Sequence, residues 1–433
     1  MKELIWVYNW IAPDGPLHNY KNPSLYDFAK FSPEVTLSSA PSVNDQAPVY
    51  CDIKRKINSK IVSPFDYDKY AGKKFLYDIT LSNKENHLRR ILDINHGFLE
   101  QSVINGEVLT EIKEGQGYFV LSTIYESFLD DSDFHLIHKY FNHHHIPLNK
   151  IIYLTNCVNG KEIYNNFCER KRIDTMVNIE YVGLYLSNLQ NDIAKNNEFE
   201  KRQNVFGTQD RLFLNWNRRI RDHRSLILAN FLQNNLMDQI HMSFDKDLPF
   251  DHWMQRLTHH ASMYNLELNS KEFYEEFYHS LPLILDSNNL HKFPVEDDFI
   301  DPAEWYDKTF ISLSSETYFR ESIIHMTEKT MKPIIFKHPF ITIGPKHTLK
   351  YIKKMGFKTF NDYWNEDYDE DDYQDRMNKI IQICKDINNW DNNKLQEFHR
   401  GVSDRLEYNF KLFQNLRINE LDEFLHKYGE ENG

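Results

Sequence analysis

The sequence predicts an α/β protein of two domains, each with a mostly parallel sheet, followed by a helical tail. Three observations carry that expectation. In the first half of the chain, short apolar runs alternate with segments of helical spacing, the order that builds βαβ units. A polar stretch at 188–203 interrupts the pattern, which restarts at Arg211. From Asp375 to Tyr428 the apolar spacing is helical nearly throughout, as in helices packed on a core. The expected boundaries are 1–203, 204–374 and 375–433.

Taken in order, residues 5–8 open as a strand. After an irregular stretch holding Pro41, Pro48 and Pro64, residues 74–79 (KFLYDI) form a second. Residues 117–122 (GYFVLS) are a strand, and 131–141 a helix whose Asp and Ser residues suit capping. Residues 151–155 (IIYLT) are the next strand, 161–169 the next helix and 177–184 a further strand. The segment 188–203 reads as a linker or a connecting helix. In the second domain 211–215 (RLFLN) is a strand and 222–234 a helix. Residues 310–313 are a strand, and 327–336 a helix enclosing Pro333. Residues 340–343 (FITI) are a strand ended by Gly344-Pro345, and 347–355 a helix stopped by Gly356.

Composition excludes several function classes. Lys+Arg number 51 against 64 Asp+Glu, a net charge of −13, which argues against coating nucleic acid or anionic membrane through bulk charge. A local basic pocket stays compatible with it. Glycines number only 14, about 3% against a usual frequency of roughly 7%. Neither GxGxxG nor GxxxxGK[ST] occurs, which disfavours dinucleotide dehydrogenases, P-loop NTPases and protein kinases. Cys51, Cys157, Cys168 and Cys384 form no CxxC pair, so a disulfide framework and a cysteine zinc site are not expected, and a reducing, cytoplasmic setting is. No apolar stretch approaches the roughly 18 residues of a membrane span.

Two clusters carry chemistry. The first, Asn215–Arg224 (NWNRRIRDHR), lies between a predicted strand and helix. Open α/β sheets bind ligands at the carboxyl ends of their strands, and a helix N-terminus suits a diphosphate. Arg218, Arg219, Arg221 and Arg224 offer the contacts that a glycine loop would otherwise make, with Arg218 and Arg224 the foremost candidates. A solvated basic loop is the plain alternative. The second cluster is Ser314-Ser315-Glu316-Thr317 at a strand end, with Thr327-Glu328-Lys329-Thr330 opening a helix. There the carboxylate suits sugar or ribose hydroxyls and the ammonium a phosphate, although Thr-Glu-Lys is also an ordinary helix start. Two further runs read as structure: His143-His144-His145 as a helix end and the acids of 366–372 as a solvated loop. No metal site is expected.

The stretch from Phe310 to Gly344 resembles the C-terminal signature of the α1,3-fucosyltransferases: a strand ending in Phe-Glu-Asn, a Thr-Glu-Lys helix start, then an apolar strand. Here these read ISLSSE, MTEK and FITI. The longer run from Thr327 to Glu370 is similar to a recurrent segment of viral and bacterial glycosyltransferase-like proteins. LNWNRR…HR resembles the arginine-bearing strand–helix turn of fucosyltransferases. The resemblance implies a GT-B-like pair of Rossmann-like domains, the second holding a nucleotide-sugar and the first facing the acceptor. It implies that Glu316 is the acidic position, that Glu328 and Lys329 contact sugar and phosphate, and that Arg224 meets the diphosphate. Arg218, Arg219 and Thr327 complete the expected donor set. Thr317 stands where the family has Asn.

The expected function is then inverting, metal-independent transfer of a sugar from a nucleoside-diphosphate sugar to a hydroxyl acceptor, with no cofactor beyond that co-substrate. The acceptor is a glycan or, less favoured at a net charge of −13, a modified DNA base. Inversion needs a carboxylate base, for which Glu126 is the candidate and Asp78 the alternative. The competing reading is a non-catalytic binding or structural viral protein of this fold, in the host cytoplasm.

Overall fold

The computed structural model describes residues 5–10, 60–62, 67–80, 87–95, 99, 106–123, 130–183, 186, 189–190, 193–194, 198–203, 206–217, 220–246, 248–285, 303–417 and 420–430. The chain divides into two compact units, Met1–Leu184 with Ile418–Gly433, and Tyr185–Arg417. Each is an α/β layer structure around one parallel sheet, the predicted class.

The first unit contains β1 (Ile5–Trp10), β2 (Lys60–Val62), β3 (Phe75–Thr80), α1 (His87–Ile91), α2 (Gly106–Glu114), β4 (Gly117–Thr123), α3 (Asp131–His143), β5 (Ile151–Thr155), α4 (Gly160–Lys171) and β6 (Asn178–Tyr181). Its sheet runs β2-β1-β3-β4-β5-β6, with every pairing parallel. All five residues of β5 are buried, as a strand covered by helices on both faces requires. Asp130 caps α3 through the N–H groups of Ser132 and Asp133, and Asp133 answers the Asp130 N–H at 3.2 Å, a complete capping box. His143 and His144 end that helix, and His145 adopts φ 52°, so the histidine run terminates a helix.

The second unit contains α5 (Glu198–Lys201), β7 (Arg211–Asn217), α6 (Asp222–Gln233), β8 (Ile240–Phe244), α7 (Phe250–Met263), α8 (Lys271–His279), α9 (Ala303–Asp307), β9 (Thr309–Ser315), α10 (Glu328–Ile335), β10 (Phe340–Ile343), α11 (Thr348–Lys354), α12 (Tyr373–Asn388) and α13 (Asn392–Asn415). Its parallel sheet runs β10-β9-β7-β8. The first strand thus has the second on one side and the third on the other, as in the first unit. That reversal places a topological switch point between β7 and β9, where open sheets leave a crevice at the carboxyl edge. α6 is buried from His223 to Phe231, which fits its lack of a polar face.

The structure departs from expectation in three places. The described residues of 188–203 belong to the second unit: Gln190 donates to the carbonyls of Phe413 (2.6 Å) and Leu416 (2.7 Å), and Arg202 pairs with Asp307 at 2.5 Å. The tail divides, with α12 and α13 in the second unit and a last helix, α14 (Glu420–Glu430), in the first. There the Tyr428 ring lies 5.1 Å from that of Tyr118, and Lys427 Nζ and Tyr428 OH each donate to Glu180 Oε1 at 2.7 Å. The acidic run 366–372 is solvated only in part: Asp367, Glu370 and Asp372 are exposed, whereas Glu366 and Asp369 turn inward. Glu366 accepts from Thr359 Oγ1 (2.6 Å) and the Phe360 N–H (2.8 Å), and Asp369 accepts the N–H groups of Leu349 and Lys350, both at 2.9 Å. Both acids are buried, because free N–H groups at helix starts and turns demand acceptors. No helix among the described residues is long and apolar enough to cross a membrane.

Candidate functional site

At the switch point the strand ends are tied together by polar side chains. Asn215 Nδ2 on β7 donates to Leu313 O on β9 (2.5 Å) and to Ser315 Oγ (3.1 Å), and Asn217 Nδ2 donates to Asn215 Oδ1. All of these asparagines and serines are buried, so each needs a partner inside the protein. Polar atoms here that find none among the described residues include Asn217 Oδ1 on β7, Ser314 Oγ on β9 and Thr342 Oγ1 on β10. Ser314 and Thr342 are register partners in neighbouring strands and point to the same face.

Glu316, one residue beyond β9, joins two helix starts. Its carboxylate accepts from Thr327 Oγ1 (2.7 Å), Thr330 Oγ1 (2.5 Å) and, more loosely, the Thr327 N–H (3.4 Å). Its backbone carbonyl accepts from His223 Nε2 (3.0 Å) and Arg224 Nη2 (3.2 Å) in the first turn of α6. Arg224 Nη2 also donates to Ser315 O at 3.1 Å. Glu316 is 1% exposed, and burial raises its carboxyl above the ordinary range, opposed by the charge of Lys329 and the two threonine hydroxyls. Gly344, at the end of β10, packs against this group: a Cβ there would lie 3.5 Å from Glu316 Cγ and 3.0 Å from Thr348 Oγ1.

Thr327 is the N-cap of α10, its Oγ1 accepting the Lys329 N–H at 3.3 Å. Glu328 and Lys329 follow, half-buried, with Lys329 Nζ 2.7 Å from Glu328 Oε1. Burial works to raise the Glu328 carboxyl, but the charges of Lys329 and Lys332 outweigh it and hold the group down to about 2. His325, buried just before the helix, is kept neutral by burial and the Lys329 charge, its pKa falling to about 4. Burial, with Arg224 adding to it, likewise holds His223 well below its ordinary value.

The loop between β9 and α10 is pinned by Phe319. Its ring stacks on His223 (5.5 Å between centroids) and lies 4.5 Å from the Arg376 guanidinium, which donates to Phe319 O. Arg376, on α12, carries no motif that marks it in the sequence. Its role follows from burial of a cation, at 2% exposure, against carbonyls and a ring.

Of the expected donor set, Arg224, Glu316, Thr327, Glu328 and Lys329 come together around these strand ends. Arg218 and Arg219 lie outside the described residues, as does Glu126. Asp78 is 1% exposed on β3 and accepts from Ser122 Oγ at 2.8 Å. Among the described residues, one group has the atoms to hold a metal ion, His347, Asp369 and Glu370. Both Asp369 oxygens there already accept N–H groups in the first turn of α11, those of Leu349 and Lys350. Cys157, Cys168 and Cys384 are buried free thiols.

No family model matches the sequence, and none of the curated proteins does. Solved structures do match over essentially the whole length. The α,α-trehalose-phosphate synthase (UDP-forming) of Burkholderia vietnamiensis matches at 8% identity with all of both chains covered and a TM-score of 0.43. An apo structure of OtsA matches at 9% identity with all of both chains covered and a TM-score of 0.46. Anabaena HepE, in complex with UDP and glucose, matches at 9% identity over 99% of each chain, with a TM-score of 0.41. Similarity this low carries no statement about chemistry, which rests on the site itself.

Proposed function

We propose that this chain is a glycosyltransferase of GT-B-like architecture whose second unit holds a nucleoside-diphosphate sugar at the β7–β9 switch point. The observation that carries this reading is the meeting of two helix N-termini, α6 and α10, at the carboxyl ends of β7, β9 and β10, with Lys329 in the first turn of one of them. Helix N–H groups and a half-buried ammonium stabilise a departing diphosphate without a glycine loop or a metal. Arg221, which precedes α6, adds no side-chain cap to that helix start. The resemblance to fucosyltransferases implicates Glu328 on a sugar or ribose hydroxyl, Lys329 on phosphate and Arg224 near the diphosphate, and Arg218 and Arg219 of the same arginine cluster join Lys329 in the proposed phosphate contacts. Arg224 and Glu316, turned onto backbone and threonine partners, shape the frame around them.

The acceptor is a glycan hydroxyl, deprotonated by a carboxylate base. Asp78 is tied to Ser122 inside the sheet, which leaves Glu126 the better candidate. Charge neutralisation by side chains makes the transfer metal-independent, and inversion follows from a single displacement. Cys157, Cys168 and Cys384, buried and outside any disulfide, support a cytoplasmic setting.

Titration with UDP, GDP and their sugars tests it. Binding by the wild-type chain should raise the melting temperature, and Lys329→Ala should lose at least tenfold in affinity with the fold intact by circular dichroism (about 1.4 kcal/mol). Unchanged binding in that variant overturns the site. Binding of sugar nucleotides without transfer or hydrolysis identifies a non-catalytic binding protein instead.

A further inference from the structure

Glu328 and Lys329 are expected to divide between a hydroxyl and a phosphate, yet in this structure they bind each other. Lys329 Nζ lies 2.7 Å from Glu328 Oε1 and 3.4 Å from Thr327 Oγ1, and the two side chains are 25% and 17% exposed. The charge of Lys332 reaches the same carboxylate. Two lysines and a helix N-terminus thus surround one anion, and that anion belongs to the chain. Glu316, the other acid of the site, already holds the hydroxyls of Thr327 and Thr330, one on each oxygen. The strand ends beneath carry a separate sign of an incomplete polar site. Ser314 Oγ and Thr342 Oγ1, in residues at most 5% exposed, have no partner among the described residues and sit on neighbouring strands in register.

We infer that Glu328 is an internal competitor for Lys329, displaced efficiently only by a ligand that brings both a diphosphate for the lysine and a hydroxyl for the released carboxylate. The inference rests on the nucleotide-sugar reading of the site and adds its selectivity. A diphosphate offers Lys329 more charge than a carboxylate does, so it wins the ammonium. The exchange strands a half-buried carboxylate beside a new anion, and an uncompensated charge there is costly. A ribose or sugar hydroxyl donates to it and removes that cost. Inorganic pyrophosphate has no such donor and meets like-charge repulsion, so the site selects nucleoside diphosphates over pyrophosphate.

Calorimetric titration of the full chain with pyrophosphate, UDP and GDP tests this on the wild type, Glu328→Gln and Lys329→Ala. Glu328→Gln should bind pyrophosphate about tenfold more tightly than the wild type. The better nucleotide should gain much less, so its preference over pyrophosphate narrows. Lys329→Ala should lose both ligands. Pyrophosphate affinity that is unchanged or weaker in Glu328→Gln, while the wild type binds UDP or GDP, overturns the competitor role and leaves the nucleotide-sugar reading standing. Absence of binding by all three ligands to both the wild type and Glu328→Gln overturns both. Circular dichroism and thermal unfolding of each variant establish that the binding differences belong to folded protein.

Discussion

The Glu316 carboxylate meets three donors from one short loop-and-helix segment, while its own carbonyl receives two more from α6. Replacing it by alanine leaves the buried hydroxyls of Thr327 and Thr330 without their acceptor, and should cost about 1–3 kcal/mol in urea unfolding. Glu328 makes a different, pH-dependent contribution. Its folded pKa of about 2 lies below the ordinary carboxyl value of 4.5, so its stabilisation is fully present above pH 4.5 and is lost as pH falls through 2. Glu328→Gln should therefore unfold about 1–2 kcal/mol more easily than the wild type at pH 7, with the gap narrowing by pH 3. Denaturation at the two pH values checks this. The Thr-Glu-Lys helix start was legible in the sequence because its cap and charges are adjacent. The orientation of Arg224 was not: its carbonyl partners lie 91 and 92 residues away, and only the parallel pairing of β7 with β9 brings them near.

Among the elements, the apolar strands β3, β4, β5, β7, β9 and β10 declared themselves because both faces of a parallel sheet are covered and their runs are nearly continuous. β8 (IHMSF) is the strand beside β7 at the sheet edge, and its His and Ser break the apolar run, so nothing in the sequence marked it. The acids near β10 misled for a related reason. A charged run reads as solvated, whereas Glu366 and Asp369 are drawn inward by N–H groups that only the folded turn and α11 present. Close packing between β3 and β4 gives a test at this scale. Phe75 and Gly117 are register partners, and a Cβ on Gly117 would fall 2.5 Å from the buried Phe75 ring. Gly117→Ala should destabilise the first unit by about 1–3 kcal/mol through overpacking, seen as a lower urea midpoint. An unchanged midpoint would show that the ring moves aside freely.

For the whole molecule, two parallel-sheet units were readable from the alternation of strands and helices, but the division of the tail was not. α13 and α14 show the same helical spacing, and their destinations depend on which surface each apolar face meets. Tyr428, buried against Tyr118 and bonded to Glu180, fixes α14 on the first unit. A chain ended at Arg417 should accordingly lose amide protection in β4, β5 and β6, with β7, β9 and β10 unaffected; hydrogen exchange with mass spectrometry reads this directly. Equal loss in both sheets would contradict the assignment of α14. The same connectivity shapes synthesis. A ribosome adding roughly 5–20 residues per second spends on the order of ten to fifty seconds on Tyr185–Arg417 before α14 can emerge. The domain translated first is therefore the last to be completed, and through that interval the surface of Tyr118 and Glu180 is open to chaperones, proteases and other nascent chains.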